Sequence, residues 1–228
     1  EYLTDPGIAF CPSDPEDRLA NLYDADGNLT LHLKLEGNGK EGVEAINSSY
    51  SYLGYVMDQL SDDDPQMDLT LLNTLAEAVG LSQIGDEFKK GPIQMVSLLQ
   101  SLLLGLQPYF INEDAAGFRG EADRDRSVAE GTGNGESATI YRLREGIERF
   151  LITDVNNPGA SAKAQSEIFI MWDYLATDVA FFNHVPGGSN VLYMDGHVAF
   201  ARYPGAPPVT RAVAQMLHIF DIRPSVGL

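Results

Sequence analysis

The stretch "FNHVPGGSNVLYMDGHVAF", Phe182 to Phe200, gathers two imidazoles, a carboxylate and a hydroxyl: His184, His197, Asp195 and Ser189. Imidazole and carboxylate together form a donor set for Zn2+ or another transition metal. Their spacing is not the helical HExxH pattern, and Asp195 sits where a turn wants it for backbone reasons. A hydrogen-bond latch is therefore the favoured reading, with the His184 imidazole reaching the Asp195-Gly196 turn. Ser189 near His184 has the residue types of a nucleophile and its base. "GGSNV", however, is not the G-x-S-x-G elbow that exposes such a serine. "GTGNGES" lacks the Lys-Ser/Thr ending of a phosphate-binding loop. A second cation candidate is "DADGN", where Asp24, Asp26 and Asn28 place oxygen ligands at alternate positions around a glycine. Calcium is the cation such oxygens suit. The distal glutamate of an EF-hand falls at Leu35, so the stretch is not an EF-hand, and a hairpin turn at Asp26-Gly27 is the competing reading. "SDDDP", Ser61 to Pro65, adds a looser acidic cluster.

Positioning these side chains requires a hairpin. Asn190 to Met194 reads as a strand, Asp195-Gly196 as a two-residue turn, and His197 onward as the return strand. Closing that turn pairs Met194 with His197 and Val191 with Phe200. Val191, Tyr193, Val198 and Phe200 then share a core face. The Pro186-Gly187-Gly188 loop gives His184 its reach.

Upstream, Ser48 to Leu60 reads as a tyrosine-rich strand or buried segment. Leu71, Leu72, Leu75, Ala76 and Val79 fall on one face of a helix capped by Asp68 and ended by Gly80. A second helix starts at Pro92 and turns Met95, Val96, Leu99, Leu102, Leu103 and Leu106 inward. Asn112 to Ala138 reads as a long polar loop, mobile around Gly131 to Gly135, with Arg124 and Arg126 on a solvated face. The chain is β-rich over 139–205. A last helix, about 207–221, turns Val209, Ala212, Val213, Met216, Leu217 and Phe220 to one side. Helices come mainly first and strands later, without a βαβ rhythm. The expected fold is α+β with an antiparallel sheet, one domain over 1–228 with a helix-rich insertion at about 61–135.

Thirty-three acidic against fifteen basic residues give a net charge of −18. That field repels phosphates and anionic lipid, so nucleic acid is excluded as a partner. The one cysteine, Cys11, excludes an intramolecular disulfide and a zinc site built on several cysteines, and reads as a small core residue. The apolar run Ile93 to Leu106 is too short and too polar to span a membrane.

The stretch Phe182 to Phe200, together with "TIYRLREGIERFLITDVNNPGASAKAQSEIFIMWD", "YLTDPGIAFCPSDP" and "SYSYLGYVMDQ", resembles bacterial prepilin-like proteins, akin to type IV pilins and type II secretion pseudopilins. Their C-terminal motif is a His, a nine-residue spacer and an Asp-Gly, which maps onto His184, Asp195 and Gly196. Here the spacer, Val185 to Met194, has ten residues. The resemblance implies a pilin-like head, with Glu1 following a removed stem whose hydrophobic helix supplies the only membrane contact. It further implies a non-enzymatic, extracellular or cell-surface subunit, with identical subunits as partners in a filament, tube or pseudopilus. Calcium binding in pseudopilin heads adds weight to Asp24, Asp26 and Asn28. The alternative is a secreted metal- or carbohydrate-binding domain using Tyr50, Tyr52, Tyr55 and Trp172 as platforms.

Overall fold

A computed structural model describes residues 6–9, 11–13, 20, 23, 25–28, 49–79, 88–150, 165–177, 182–184 and 187–217. The fold is α+β. Its main sheet has four antiparallel strands: β1 (Tyr50–Ser51), β6 (Phe169–Asp173), β7 (Gly188–Tyr193) and β8 (Val198–Arg202), in that spatial order. Two small ribbons also pair among the described residues. One joins β2 (Gln66–Asp68) to β3 (Lys90–Pro92), the other β4 (Arg126–Ser127) to β5 (Thr139–Ile140). The helices are α1 (Thr70–Ala78), α2 (Ile93–Ile111), α3 (Ala115–Ala122) and α4 (Arg211–Leu217).

The β2–β3 ribbon sets where α1 and α2 start, because each strand runs almost directly into its helix. The Asp68 carboxylate accepts from the Thr70 amide at 2.8 Å, satisfying one donor that α1 leaves open at its N-terminus. Leu72 and Ala76, four residues apart, are the buried stripe of α1. Leu71, expected inside, is 54% exposed. The 3.6-residue period admitted either stripe, and contact with the core selected Leu72. Gly80 and Phe220 lie outside the described residues.

Helix α2 is buried on every side from Gln94 to Leu99 and runs to Ile111, past Pro108. Its first half contributes Met95, Val96, Leu98 and Leu99 to the core. The inner sheet face contributes Phe169, Trp172 and Val191, and α4 contributes Val213, Met216 and Leu217. Burying such side chains is worth about 1.5–3 kcal/mol each, and this is the main driving term for the fold.

The acidic cluster "SDDDP" acts as a scaffold. Asp62 accepts from the Ala212 amide at 2.9 Å at the start of α4, and Asp64 accepts from the Ser61 amide at 2.7 Å. Thr210, fully buried, donates to the Leu60 carbonyl and accepts from Val213.

The polar loop expected over 112–138 contains α3, whose cap is Asp114 accepting from the Gly117 amide at 2.9 Å. The same stretch contains β4. Arg126 is not on a solvated face; it is buried between α2 and α3. The Gly131–Gly135 end is fixed, with Thr132 and Asn134 buried. The β-rich region expected over 139–205 holds β5, β6, β7 and β8, with a 3-10 turn at Ile147–Phe150 between β5 and β6.

Beside this region Asp125 accepts a two-pronged pair from Arg144, at 2.7 and 2.9 Å, and the Arg142 amide at 2.8 Å. The Arg144 bonds hold the Asp125 carboxyl below its usual range. A depressed carboxylate stabilises the fold above its unfolded value, and that contribution is lost as pH falls through the folded value. Asp125→Asn is therefore expected to cost about 0.5–1 kcal/mol at pH 7, the size of a half-exposed ion pair. Melting curves should show the gap to wild type closing below about pH 4. A gap that stays constant down to acid would refute the role.

Candidate functional site

The hairpin β7–β8 pairs Leu192 with Val198, Val191 with Ala199 and Asn190 with Phe200. This is one residue out of step with a two-residue Asp-Gly turn. The loop is three residues long, Met194 to Gly196. The Gly196 amide donates to the Tyr193 carbonyl at 2.9 Å, the Tyr193 amide to the His197 carbonyl at 3.0 Å, and Gly196 has φ +88°. A turn closed by a glycine in the left-handed region adds one bulged residue, and one residue of slip exchanges the faces of the return strand. The inner face thus holds Ser189, Val191 and Tyr193 against Ala199 and Ala201. Val198 and Phe200, expected in the core, are 60% and 55% exposed.

The same register builds a polar row on the outer face. Tyr50 faces Asp173 across β1–β6, and Trp172 faces Val191 across β6–β7, which sets Asp173 beside Asn190. The Asp173 Oδ2 accepts from the Asn190 amide at 2.7 Å and from its side-chain Nδ2 at 2.9 Å. His184 closes over this pair. Its Nε2 is 2.9 Å from Asp173 Oδ2, 3.1 Å from Asn190 Nδ2 and 3.6 Å from Cys11 Sγ. The Gly187 amide donates to the His184 carbonyl at 3.0 Å, tightening the loop that carries the ring. At Gly188 a side chain would press into the Phe200 ring and the Ala201 carbonyl, so the second glycine serves close approach. The Phe200 ring meets His184 edge-on, with centroids 6.3 Å apart. Asp173 and Cys11 are buried and His184 is part-exposed. Burial first, then the neighbouring Cys11 and Asp173, raises the pKa of the Tyr50 hydroxyl.

The expected latch between His184 and Asp195 is not formed. Asn190 and Asp195 lie five residues apart along the chain, so the two imidazoles serve different ends of the hairpin at roughly 3.3 Å per residue. Asp195 instead accepts from His197, at 2.6 Å from Nδ1 and 3.1 Å from the backbone amide. The His197 amide and ring bonds hold the Asp195 carboxyl below its usual value. The His197 ring stacks on Tyr193 at 4.4 Å, as cross-strand neighbours on one face do. The metal alternative for His184, Asp195 and His197 loses its geometry with the latch.

Among the described residues, the cluster with three ligand types in metal-binding reach is Cys11, Asp173 and His184. Its sequence context places Cys11 in core packing and does not single out Asp173. No local signal linked them, since 173 positions separate Cys11 from His184. Asp24 lies outside the described residues. Asp26 and Asn28 are exposed around Gly27, whose φ of +80° fits the turn reading.

Ser189 is fully buried, and its hydroxyl donates to the Asp173 carbonyl at 3.0 Å. That removes it as a nucleophile. Cys11, His184 and Asp173 are not arranged as a hydrolytic triad either. A triad uses one ring nitrogen for the nucleophile and the other for the carboxylate. Here Nε2 faces both. Of the aromatics proposed as a sugar platform, Tyr55 and Trp172 are buried and Tyr52 is 50% exposed. No helix of the described residues is long and apolar enough to cross a membrane. No family model matches the chain, and no curated protein or solved structure matches it.

Proposed function

We propose that the chain is a non-enzymatic assembly subunit, a head that packs against copies of itself at the cell surface or outside the cell. The supporting observation is β8. Among the described residues it is the edge of the main sheet, and its outer-facing Val198 and Phe200 stand exposed beside the half-buried Leu192 and Met171. An open edge carrying large apolar side chains is what proteins that stay apart usually avoid. A second copy is the occupant that fits best, because an antiparallel edge strand pairs with itself across a twofold axis. The prepilin-like resemblance supports the same partner, and the net charge of −18 argues against nucleic acid in its place.

Sedimentation of the chain over a wide concentration range tests this. Self-association is expected, weakened at least about tenfold by Phe200→Asp or Val198→Lys, the effect of losing one apolar anchor. A chain that stays monomeric at high concentration, or association indifferent to both substitutions, rejects the β8 interface. The carbohydrate alternative has lost two of its four aromatics to the core. The metal-binding alternative keeps one specific observation, the cluster around His184.

A further inference from the structure

We propose that Cys11, Asp173 and His184 form a binding site for one zinc-like divalent cation, which ties the N-terminal segment and the 182–184 loop to the outer face of the sheet. Three facts carry this. First, Sγ, Oδ2 and Nε2 all lie within 4.8 Å of one another, with the carboxylate and thiol buried. Zinc bonds of about 2.0–2.3 Å put tetrahedral ligand atoms roughly 3.3–3.8 Å apart. The Cys11–His184 separation, 3.6 Å, already falls there, and His184–Asp173, 2.9 Å, needs to open by only a few tenths of an ångström.

Second, the polar groups around Nε2 already converge on one carboxylate oxygen. Asp173 Oδ2 lies 2.9 Å from His184 Nε2 and accepts from the Asn190 backbone amide at 2.7 Å and from Asn190 Nδ2 at 2.9 Å. Without a cation, a protonated Nε2 donates to the same oxygen. A cation that takes lone pairs from Nε2, Oδ2 and Sγ replaces that proton, and both Asn190 N–H groups stay on Asp173 as the outer hydrogen bonds that a ligand carboxylate carries.

Third, the donor set chooses the metal. One thiolate and one imidazole select a borderline-soft ion over calcium or magnesium. On binding, Cys11 loses its thiol proton to solvent. Three protein ligands leave a fourth position for water or a residue of the chain.

Cobalt replaces zinc as a spectroscopic probe on the intact chain. Expected is one Co2+ per chain, with intense tetrahedral visible bands and a thiolate-to-cobalt charge-transfer band, both abolished by added Zn2+. Cys11→Ser removes the charge-transfer band, and His184→Ala and Asp173→Asn weaken binding by at least about tenfold. Stoichiometric Zn2+ raises the melting temperature of the wild type, Ca2+ does not, and a chelator reverses the effect. The wild-type melting arm needs no variant to fold. Absence of stoichiometric Co2+ binding, a charge-transfer band that survives in Cys11→Ser, or equal stabilisation by Ca2+ overturns the site. None of these readouts depends on self-association, so the assembly reading stands or falls separately.

Discussion

Arg126→Ala is expected to destabilise the fold by about 3–5 kcal/mol, the cost of removing one partner from a buried ion pair. The guanidinium side chain is 7% exposed and Glu121, its partner, 15%. Nη1 donates to Glu121 Oε1 at 2.8 Å and to the Glu121 carbonyl at 3.2 Å, Nε donates to Ser101 Oγ at 3.1 Å, and Nη2 donates to the Ser101 carbonyl. One side chain thus ties β4 to both α2 and α3. Helix α2 admits it at Gly105, where a methyl group would strike both Nη2 and the Glu121 carboxylate. Alanine leaves Glu121 Oε1 without its buried cation, with only the exposed Arg124 on Oε2 at 3.2 Å, and takes the side-chain donor from the Ser101 carbonyl. Arg126→Lys keeps the charge but not the planar fork, and should lose about 1–3 kcal/mol. Arg126→Met with Glu121→Leu removes both charges, and should be more stable than Arg126→Ala alone. Chemical denaturation measures all three. A loss under about 1 kcal/mol for Arg126→Ala would place the pair at the level of a surface bridge and reject the buried clamp.

What the sequence conveyed and what it hid divide along a physical line. Helices α1 and α2 were legible because burial repeats with the helix period at Leu72 and Ala76, and at Met95, Val96 and Leu99. The antiparallel sheet was legible from the alternating runs around Trp172 and Val191. Helix α3 was hidden because "AAGFRGEA" has two glycines and no residue that is fully buried. Arg126 was misread because a charged residue in an alternating charged run looks solvated until another helix, with Gly105, arrives to cover it. The hairpin failed by one residue, since Asp-Gly serves both a two-residue turn and a three-residue loop ending on a left-handed glycine. That single slip moved Phe200 from core to surface.

The site was legible in one of its three members. His184 stood out by type and by its glycine loop. Its partners are set by strand register and by a segment at the far end of the chain, and neither leaves a local trace. Asp195, two residues from His197, drew attention because it is close in sequence; Asp173 holds the imidazole because it is close in space.

Asn134→Ala is the second large effect expected, about 2–4 kcal/mol from three broken hydrogen bonds at a buried amide. Asn134 Nδ2 donates to the Val56 carbonyl and to Asp58 Oδ1, each at 2.9 Å, and its Oδ1 accepts from the Tyr141 amide at 2.9 Å. The Gly135 amide donates to Asp58 Oδ2 at 2.8 Å. On the other side of the same segment, fully buried Gln94 accepts from the Asp58 and Gln59 amides at 2.9 and 3.1 Å and donates to Asp58 Oδ1. The Val56 amide donates to the Tyr141 carbonyl at 2.9 Å, and beyond that backbone bond the stretch Val56 to Gln59 is held by side chains, which is why a polar, glycine-rich sequence packs here. Asn134→Asp separates the two roles of the amide. It keeps the acceptor for Tyr141 but loses the donor and places a second carboxylate against Asp58. It should be at least as damaging as alanine at pH 7 and recover part of the loss as pH falls and the new carboxyl protonates. Amide exchange at Tyr141 and Gly135 reports the local effect, and denaturant melts report the global one. Unchanged protection at both amides in Asn134→Ala would show that the backbone around Gly133 holds itself without the side chain.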